Sequence, residues 1–408
     1  MVLLAALLAL APGTRAENWP GWRGPRGDGT SLETNVPVRW SPGSNVVWTA
    51  ALPGRGHGSP IVWGDRIFLL AAFEEREERA VVCVNARTGA SVWQRTVVTA
   101  PLEKKHSLNS YASSTPATDG RLVFVTFLDR KDMVVAAYDF DGNRQWLVRP
   151  GPFASVHGFC SSPVIFQDKV IVNGDHDGDA FIVALDRNTG RTLWNIAREN
   201  RMRSYCTPLI RPLAGKTQMV LSGSKCVASY DPQTGARYWI IDGPTDQTVA
   251  SLVYNERADM LLYTGGYPEL HILGIKPDGQ GNVTRTHVAW RTTQGVSYVP
   301  APISFGDYFM VVSDAGKTTC FQAADGRVLW SERLGAEHAA LVSAGGLVYA
   351  LSDAGVMTVI KPGPVFQVVA RNELGEKFFA SPALSGGRMY LRSDQRLWCL
   401  GERERSVR

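Results

Sequence analysis

Apolar residues fall along this chain in short runs, each bounded by turn-forming residues. Ile67 to Leu70, Ala80 to Val84, Leu122 to Val125, Ala180 to Leu185 and Val356 to Ile360 are of this kind. Few segments carry an apolar period of 3.6, so the pattern predicts many short strands and few helices. Each run is almost continuously apolar. Strands of that composition are buried on both faces.

The turns between the runs repeat. Asp186-Arg187-Asn188-Thr189-Gly190-Arg191-Thr192-Leu193-Trp194 reads as the end of one strand, a tight turn and the start of the next. A Gly followed four residues later by a Trp recurs at Gly89/Trp93, Gly142/Trp146, Gly190/Trp194, Gly235/Trp239 and Gly326/Trp330. A fixed offset returning every 40 to 50 residues or so marks an array of like units. The Gly supplies the positive φ of a tight turn. The Trp is large and flat enough to fill the wedge between neighbouring sheets, and removing one should cost about 3–5 kcal/mol.

Units open on Ser or Thr before Pro, at Ser59-Pro60, Thr115-Pro116, Ser162-Pro163, Thr207-Pro208 and Ser381-Pro382, and at Ala301-Pro302. Pro suits the first residue of a strand. A complete unit is such a start and four strands, the fourth carrying the Trp. The fifth unit is degenerate, with Ala250-Ser251 at its start and an insert, Lys276 to Thr286, before Trp290. The seventh puts Phe366 where the Trp belongs. The last stops after three strands, and an orphan strand, Asn45 to Leu52, carries Trp48 at the other end of the chain. Seven complete units and one built from both ends predict an all-β, eight-bladed β-propeller. Ring closure leaves only short, protected edges.

The expected organisation is a signal peptide over 1–16, a Trp/Gly/Pro-rich segment over 17–45 pinned to the body, the propeller over 46–400 and a tail over 401–408. Val2 to Ala11 is apolar, and Thr14-Arg15-Ala16 offers a cleavage site, so an exported protein, periplasmic or secreted, is expected. The run is too short to span a bilayer, and no Cys follows it to carry a lipid anchor. Among 408 residues the net charge is +5, and Lys and Arg are scattered. No nucleic-acid footprint results. A monomer is expected.

Six cysteines in an exported chain raise the question of disulfides. Aligning the turns puts Cys83, Cys320 and Cys399 in the slot that Ala137, Ala184 and Ser229 fill in other units. A slot for a small side chain suits a buried free thiol. Cys160 and Cys206, at the starts of neighbouring inner strands, are the one pair to test.

The turn Ala184-Leu185-Asp186-Arg187-Asn188-Thr189-Gly190-Arg191-Thr192-Leu193-Trp194 resembles the pyrroloquinoline-quinone (PQQ) propeller repeat, A-x-D-x-x-T-G-x-x-x-W. The resemblance spans residues 46 to 400. The repeat is shared by quinoprotein dehydrogenases and by non-catalytic propellers of the BamB type. Trp19-Pro20-Gly21-Trp22-Arg23-Gly24-Pro25 is similar to the opening of exported PQQ-like propellers of planctomycete-type bacteria. The dehydrogenase reading implies adjacent cysteines, a Trp floor and a Glu-Asn-Asp set for Ca²⁺ and base catalysis. No Cys-Cys pair occurs, and no segment matches the other motifs. No cofactor is therefore expected, and a PQQ- and Ca²⁺-dependent oxidoreductase with an atypical site is the alternative.

Two other constellations carry chemistry. Residues just before the inner strands face the axis at one mouth of a propeller. His57, Tyr111, His157, Tyr205, Tyr298, His338 and Phe378 are of this class, with Arg203 and Lys377 close by. They are candidates to hold a small ligand in the axial channel, against the plainer reading that they plug it. Asp175, Asp177 and Asp179 alternate like the opening of a calcium loop, but Ala180 stands where the sharp turn needs Gly and Asp186 replaces the bidentate Glu. A polar hairpin is the preferred reading there. No G-x-S-x-G elbow points to a hydrolase. The expected function is a rigid exported scaffold that binds protein or peptide partners. Its working loops are Ala100 to Tyr111, Arg149 to Phe159, Ala197 to Tyr205 and Asp242 to Thr248.

Overall fold

The computed structural model describes residues 16–402. All of the expected signal peptide but Ala16, and the tail from residue 403 on, lie outside them. Eight antiparallel sheets form the eight-bladed propeller that the repeat predicts. Blade three is representative: Val164–Phe166, Lys169–Gly174, Phe181–Asp186 and Thr192–Ala197 run in order from the axis outward. Blade eight combines both ends of the chain. Val46–Ala51 pairs antiparallel with Arg396–Leu400, and Trp48 stands opposite Cys399.

The two middle strands of a blade are buried on both faces because a neighbouring blade packs against each. Residues Phe181 to Leu185 are all buried. The core is accordingly a set of layers between blades. One layer joins Phe124, Val135 and Trp146 of blade two to Val170, Val183 and Leu185 of blade three.

The Gly and the Trp of the repeat meet across these layers. The turn Gly of one blade lies under the Trp of the blade before it. A Cβ on Gly190 would lie 2.8 Å from Cε3 of Trp146, and one on Gly142 would lie 2.8 Å from Cδ2 of Trp93. Gly89 and Trp48 make the same contact across the closure, at 2.6 Å. Each of these indoles also donates its Nε1–H to the carbonyl of the residue after the turn Asp or its equivalent. Trp146 reaches Arg187 at 3.0 Å, Trp93 reaches Phe140 at 2.7 Å and Trp48 reaches Ala86 at 3.1 Å. The turn itself is held by Asp186, whose carboxylate accepts hydrogen bonds from the N–H and hydroxyl of Thr189 and the N–H of Asn188. Led by the Thr189 hydroxyl bond, these hold the carboxyl below its usual value. The slot shared by Cys83, Ala137, Ala184, Ser229, Cys320 and Cys399 is small because each of these residues stands directly opposite a repeat Trp.

Two blades solve the packing differently. Blade five lacks the turn Gly, and its insert folds back instead. Gly281–Asn282 adds a fifth, parallel strand to blade four, opposite Trp239 and Ile240. Gly279 then lies against Trp239. Trp239 is fully buried and donates to Gln218. In blade seven the residue opposite Val359, where the Trp belongs, is Ala370 and not Phe366. The turn there is longer, with the Lys361 N–H bonded to the Gln367 carbonyl, so Phe366 stays in the turn, 5.0 Å from the ring of Trp330. Trp40 joins Ala370 in one buried cluster, and its N–H donates to the Asn372 side chain.

Trp40 belongs to a strap, residues 17–45, that crosses one end of the ring. Trp19 exchanges two backbone hydrogen bonds with Val62 of blade one. The Pro20 carbonyl accepts from Thr118 of blade two. Asp28 pairs with Arg211 of blade four at 2.5 Å, and Gly29 and Ser31 bond Ser343 of blade seven. The Glu33 carboxylate accepts the N–H groups of Gly386 and Gly387 in blade eight, at 2.6 and 2.7 Å. The strap thus lies on the side of the turns between first and second strands. The opposite end carries the loops that join blades.

A comparison of two glycines tests the inter-blade contact. Gly190 and Gly215 both hold positive φ, at 73° and 77°, but nothing lies within 4 Å of a Cβ on Gly215. Gly215→Ala should cost about 1–2 kcal/mol for the left-handed backbone alone. Gly190→Ala should cost about 1–3 kcal/mol more, for the clash with Trp146. Urea unfolding of both variants measures the difference, and equal losses would refute the contact as its cause.

Candidate functional site

The residues that open each unit meet around the axis. The Ala340 N–H donates to Ser381 Oγ at 2.8 Å, and the Ser381 N–H to Ser59 Oγ at 3.0 Å. Ser59 N–H continues to Thr115 Oγ1 and Thr115 N–H to Ser162 Oγ, at 3.0 and 2.9 Å. Thr207 N–H donates to Ser251 Oγ at 3.2 Å. The Ser or Thr that opens a unit therefore ties its blade to the preceding one at the axis at five of the eight junctions. This is the innermost counterpart of the Trp–Gly contact at wider radius.

Inside this ring lies a cavity of about 570 Å³. Its floor is Trp22 of the strap, whose indole N–H donates to Ser251 Oγ at 3.3 Å. Above the hydroxyl ring stand His57, His106, His157, His338, Tyr205, Tyr298, Phe379, Cys160 and Asp314. At the loop end the wall includes Leu108, which is exposed.

Five of the nine side chains proposed from sequence line this cavity: His57, His157, Tyr205, Tyr298 and His338. Four do not. Tyr111 sits between Lys105 and Arg79, with the lysine Nζ 5.0 Å from its ring. Arg203 turns back onto Asp177 at 2.7 Å, close enough to bias His157 by its charge but outside the wall. Lys377 points to solvent. Phe378 is buried in the blade-eight core, and Phe379 faces the cavity in its place, stacked on His57 at 4.6 Å. A shift of one residue turns a side chain to the other face of an extended segment. His106, Asn109 and Asp314 were not singled out. The first two lie in the Ala100 to Tyr111 loop, which sequence marks only as long and polar.

The wall is electrically quiet. Burial, then the charge of Arg392, pushes His57 down to about 4, so it is neutral at neutral pH. Burial, then Arg203, lowers His157. Burial pushes the Cys160 thiol up to about 12, and burial likewise raises the Tyr205 and Tyr298 phenols, so all three keep their protons. The Tyr205 hydroxyl bonds Ser155, and the Tyr298 hydroxyl donates to Gln247. Both Asp314 oxygens accept backbone N–H groups, from Tyr298 and Val299. In His338, burial opposes the charge, but Asp353, 2.7 Å from Nδ1, outweighs it and raises the pKa.

The calcium-loop reading of Asp175, Asp177 and Asp179 is overturned by their partners. Asp175 is buried against Arg198 at 2.7 Å and also accepts from Ser204. Asp177 pairs with Arg203, and Asp179 with Arg201 at 2.8 Å. Three carboxylates turned to three different arginines do not converge on one ion. Nor does the cavity wall fit a quinone-bound Ca²⁺, which takes six to eight or so oxygen ligands. Asp314 is its one carboxylate, and among the described residues no three His, Cys, Asp or Glu side chains gather as a metal site. The thiols of Cys160 and Cys206 are unbonded to each other. Cys206 donates to the Ala250 carbonyl instead.

Comparison with known proteins gives the family. The model of the family described as outer membrane protein assembly factor BamB (PQQ_2) matches residues 77–258 and 279–362, more than half of the chain. The chain belongs to this family. The gap between the matched segments falls beside the blade-five insert. Three solved structures share the fold. BamB from Moraxella catarrhalis is 17% identical, with a TM-score of 0.60, over 88% of this chain and 99% of that one. A europium-containing methanol dehydrogenase is 12% identical, with a TM-score of 0.57, over 95% and 98%. The quinohemoprotein alcohol dehydrogenase from Comamonas testosteroni is 12% identical, with a TM-score of 0.52, over 96% and 82%. No curated protein matches the chain. Among the described residues, no helix is long and apolar enough to cross a membrane.

Glu337, beside His338, offers a test of the electrostatics behind this wall. It is fully buried and its carboxyl oxygens have no partner. Burial, then the charge of Asp353, raises its pKa to about 8. A carboxyl raised on folding favours the folded state below its unfolded pKa. That advantage is lost as pH rises from about 4.5 through about 8. Glu337→Gln should therefore change the melting temperature little at pH 5 and raise it clearly at pH 8.5. A pH-independent difference in thermal unfolding would refute the assignment.

Proposed function

We propose that this chain is a non-catalytic, exported binding scaffold that receives a protein partner on its loop face. The observation that carries the reading is the asymmetry of the two ends. The strap occupies one end with hydrogen bonds to blade after blade. The other end is left open around the cavity, with Leu108 exposed in its wall. An open cavity on a stiff frame is what a docking partner can enter. The Tyr267 carbonyl accepts from Gln247, so the blade-five hairpin and the preceding loop stand together on that face. A periplasmic or outer-membrane-associated setting accords with the family description, and with BamB as a structural neighbour.

The neutral His57 and His157, the protonated thiol and the occupied Asp314 also support binding over catalysis. A general base needs a free acceptor within reach of substrate and a pKa near the working pH.

Photo-crosslinking separates the two faces. A photoreactive residue at Leu108 should yield a discrete protein adduct in the periplasm. The same residue at Val365, exposed in the blade-seven turn at the other end, should not. Equal labelling from both positions, or dye reduction by the purified protein after loading with PQQ and Ca²⁺, would overturn the proposal.

A further inference from the structure

The ring of hydroxyls around the axis has donors to spare. Ser59, Thr115, Ser162, Ser251 and Ser381 each accept a backbone N–H through the side-chain oxygen. None of these hydroxyls donates to a protein acceptor among the described residues, though each is nine-tenths buried or more. Thr207 completes the set, and its hydroxyl makes no hydrogen bond among the described residues. A hydroxyl carries one donor proton besides its lone pairs. All six residues line the cavity, so each hydroxyl has a proton left for a bound acceptor. The thiol of Cys160 adds a donor at the next level.

The charge balance narrows the class of ligand. Arg392 is fully buried behind His57 and donates to the Gly58 carbonyl at 2.9 Å, with no carboxylate in contact. One buried cation beside a ring of neutral donors suits a single negative charge. The walls above are flat: Phe379 stacks on His57, His338 stands edge-on to the same ring, and Tyr205 and Tyr298 face them. Such walls take a flat apolar body.

We propose that the axial cavity binds a carboxylate carried on a planar apolar body, entering head first from the loop face into the hydroxyl ring. This rests on the reading of the loop face as the binding face. The chemistry has two sources, a free aromatic acid or the C-terminal carboxylate of a partner chain ending in an aromatic residue. A phosphate dianion would meet too little positive charge, and an ammonium head would meet hydroxyl donors at the ring, since the one wall carboxylate, Asp314, is engaged by two backbone N–H groups.

Calorimetric titration of the purified full chain tests it, with no partner protein present, so its failure is separable from failure of the crosslinking experiment. Benzoate should bind, while benzylamine and benzamide should bind at least about tenfold more weakly, the scale of one hydrogen bond to a charged group. Acetyl-Ala-Phe as the free acid, set against its amide, reports the second source. Thr207→Val removes a hydroxyl with no protein partner and should leave thermal unfolding unchanged. It should weaken the bound acid about tenfold, and Thr207→Ser should restore it. Binding of either acid with this dependence supports the proposal and names the source. No binding of either acid, or equal binding of acid and amide, overturns it, and so does binding indifferent to Thr207→Val. If the Val variant fails to fold, the acid-to-amide ratio on the unaltered chain still decides.

Discussion

The contact between the Trp of one blade and the turn Gly of the next governs this structure. It works because Gly has no side chain there. The indole ring lies on the bare Cα of the neighbouring turn and donates its N–H to a carbonyl earlier in that same turn. Packing and hydrogen bonding thus act at one point and fix both distance and angle between blades. Repeated around a ring, a fixed angle determines how many blades close it. Where the Gly or the Trp is missing, the chain supplies a substitute: the folded-back insert against Trp239, and Trp40 beside Ala370. Both substitutes keep the wedge filled, because a void there would cost as much as a truncated core side chain.

The axis obeys the same logic at smaller radius. At five of its junctions a hydroxyl accepts an N–H from the blade before. A structural bond that uses the oxygen but not the proton leaves a surface of donors as its by-product. The candidate site thus arises from the device that joins the blades.

Much of this was legible because it is local. The blade count, the closure through Trp48 and the small slot of Cys83 and Cys399 follow from periods and offsets within one unit. The cavity wall was legible in part. His57, His157, Tyr205, Tyr298 and His338 sit at a fixed place relative to a strand start, and that place was readable. Phe378 and Phe379 differ only in which side of an extended segment they occupy, and no periodicity precedes the strand to set it. Ala370 was misplaced because the turn before it has a different length, so counting from the Gly failed. The path of the strap was illegible, since Trp22, Asp28 and Glu33 find partners hundreds of residues away. The charge partners of Asp175, Asp177 and Asp179 are nearer in sequence, but they lie in the next blade-joining loop, whose path no periodicity sets.

The strap also bears on how the chain reaches its fold. Glu33 bonds Gly386 across 353 residues of sequence. Repeat proteins with open ends can gain or lose units one at a time, since each unit answers only to its neighbours. Here the first segment to be made can complete its bonds only after the last blade exists, and the last blade is incomplete without the strand that follows the strap. Such distant pairings slow folding, because the chain must be ordered before they form. Once formed, they turn eight similar modules into a single cooperative unit, with no terminal blade from which unravelling can start.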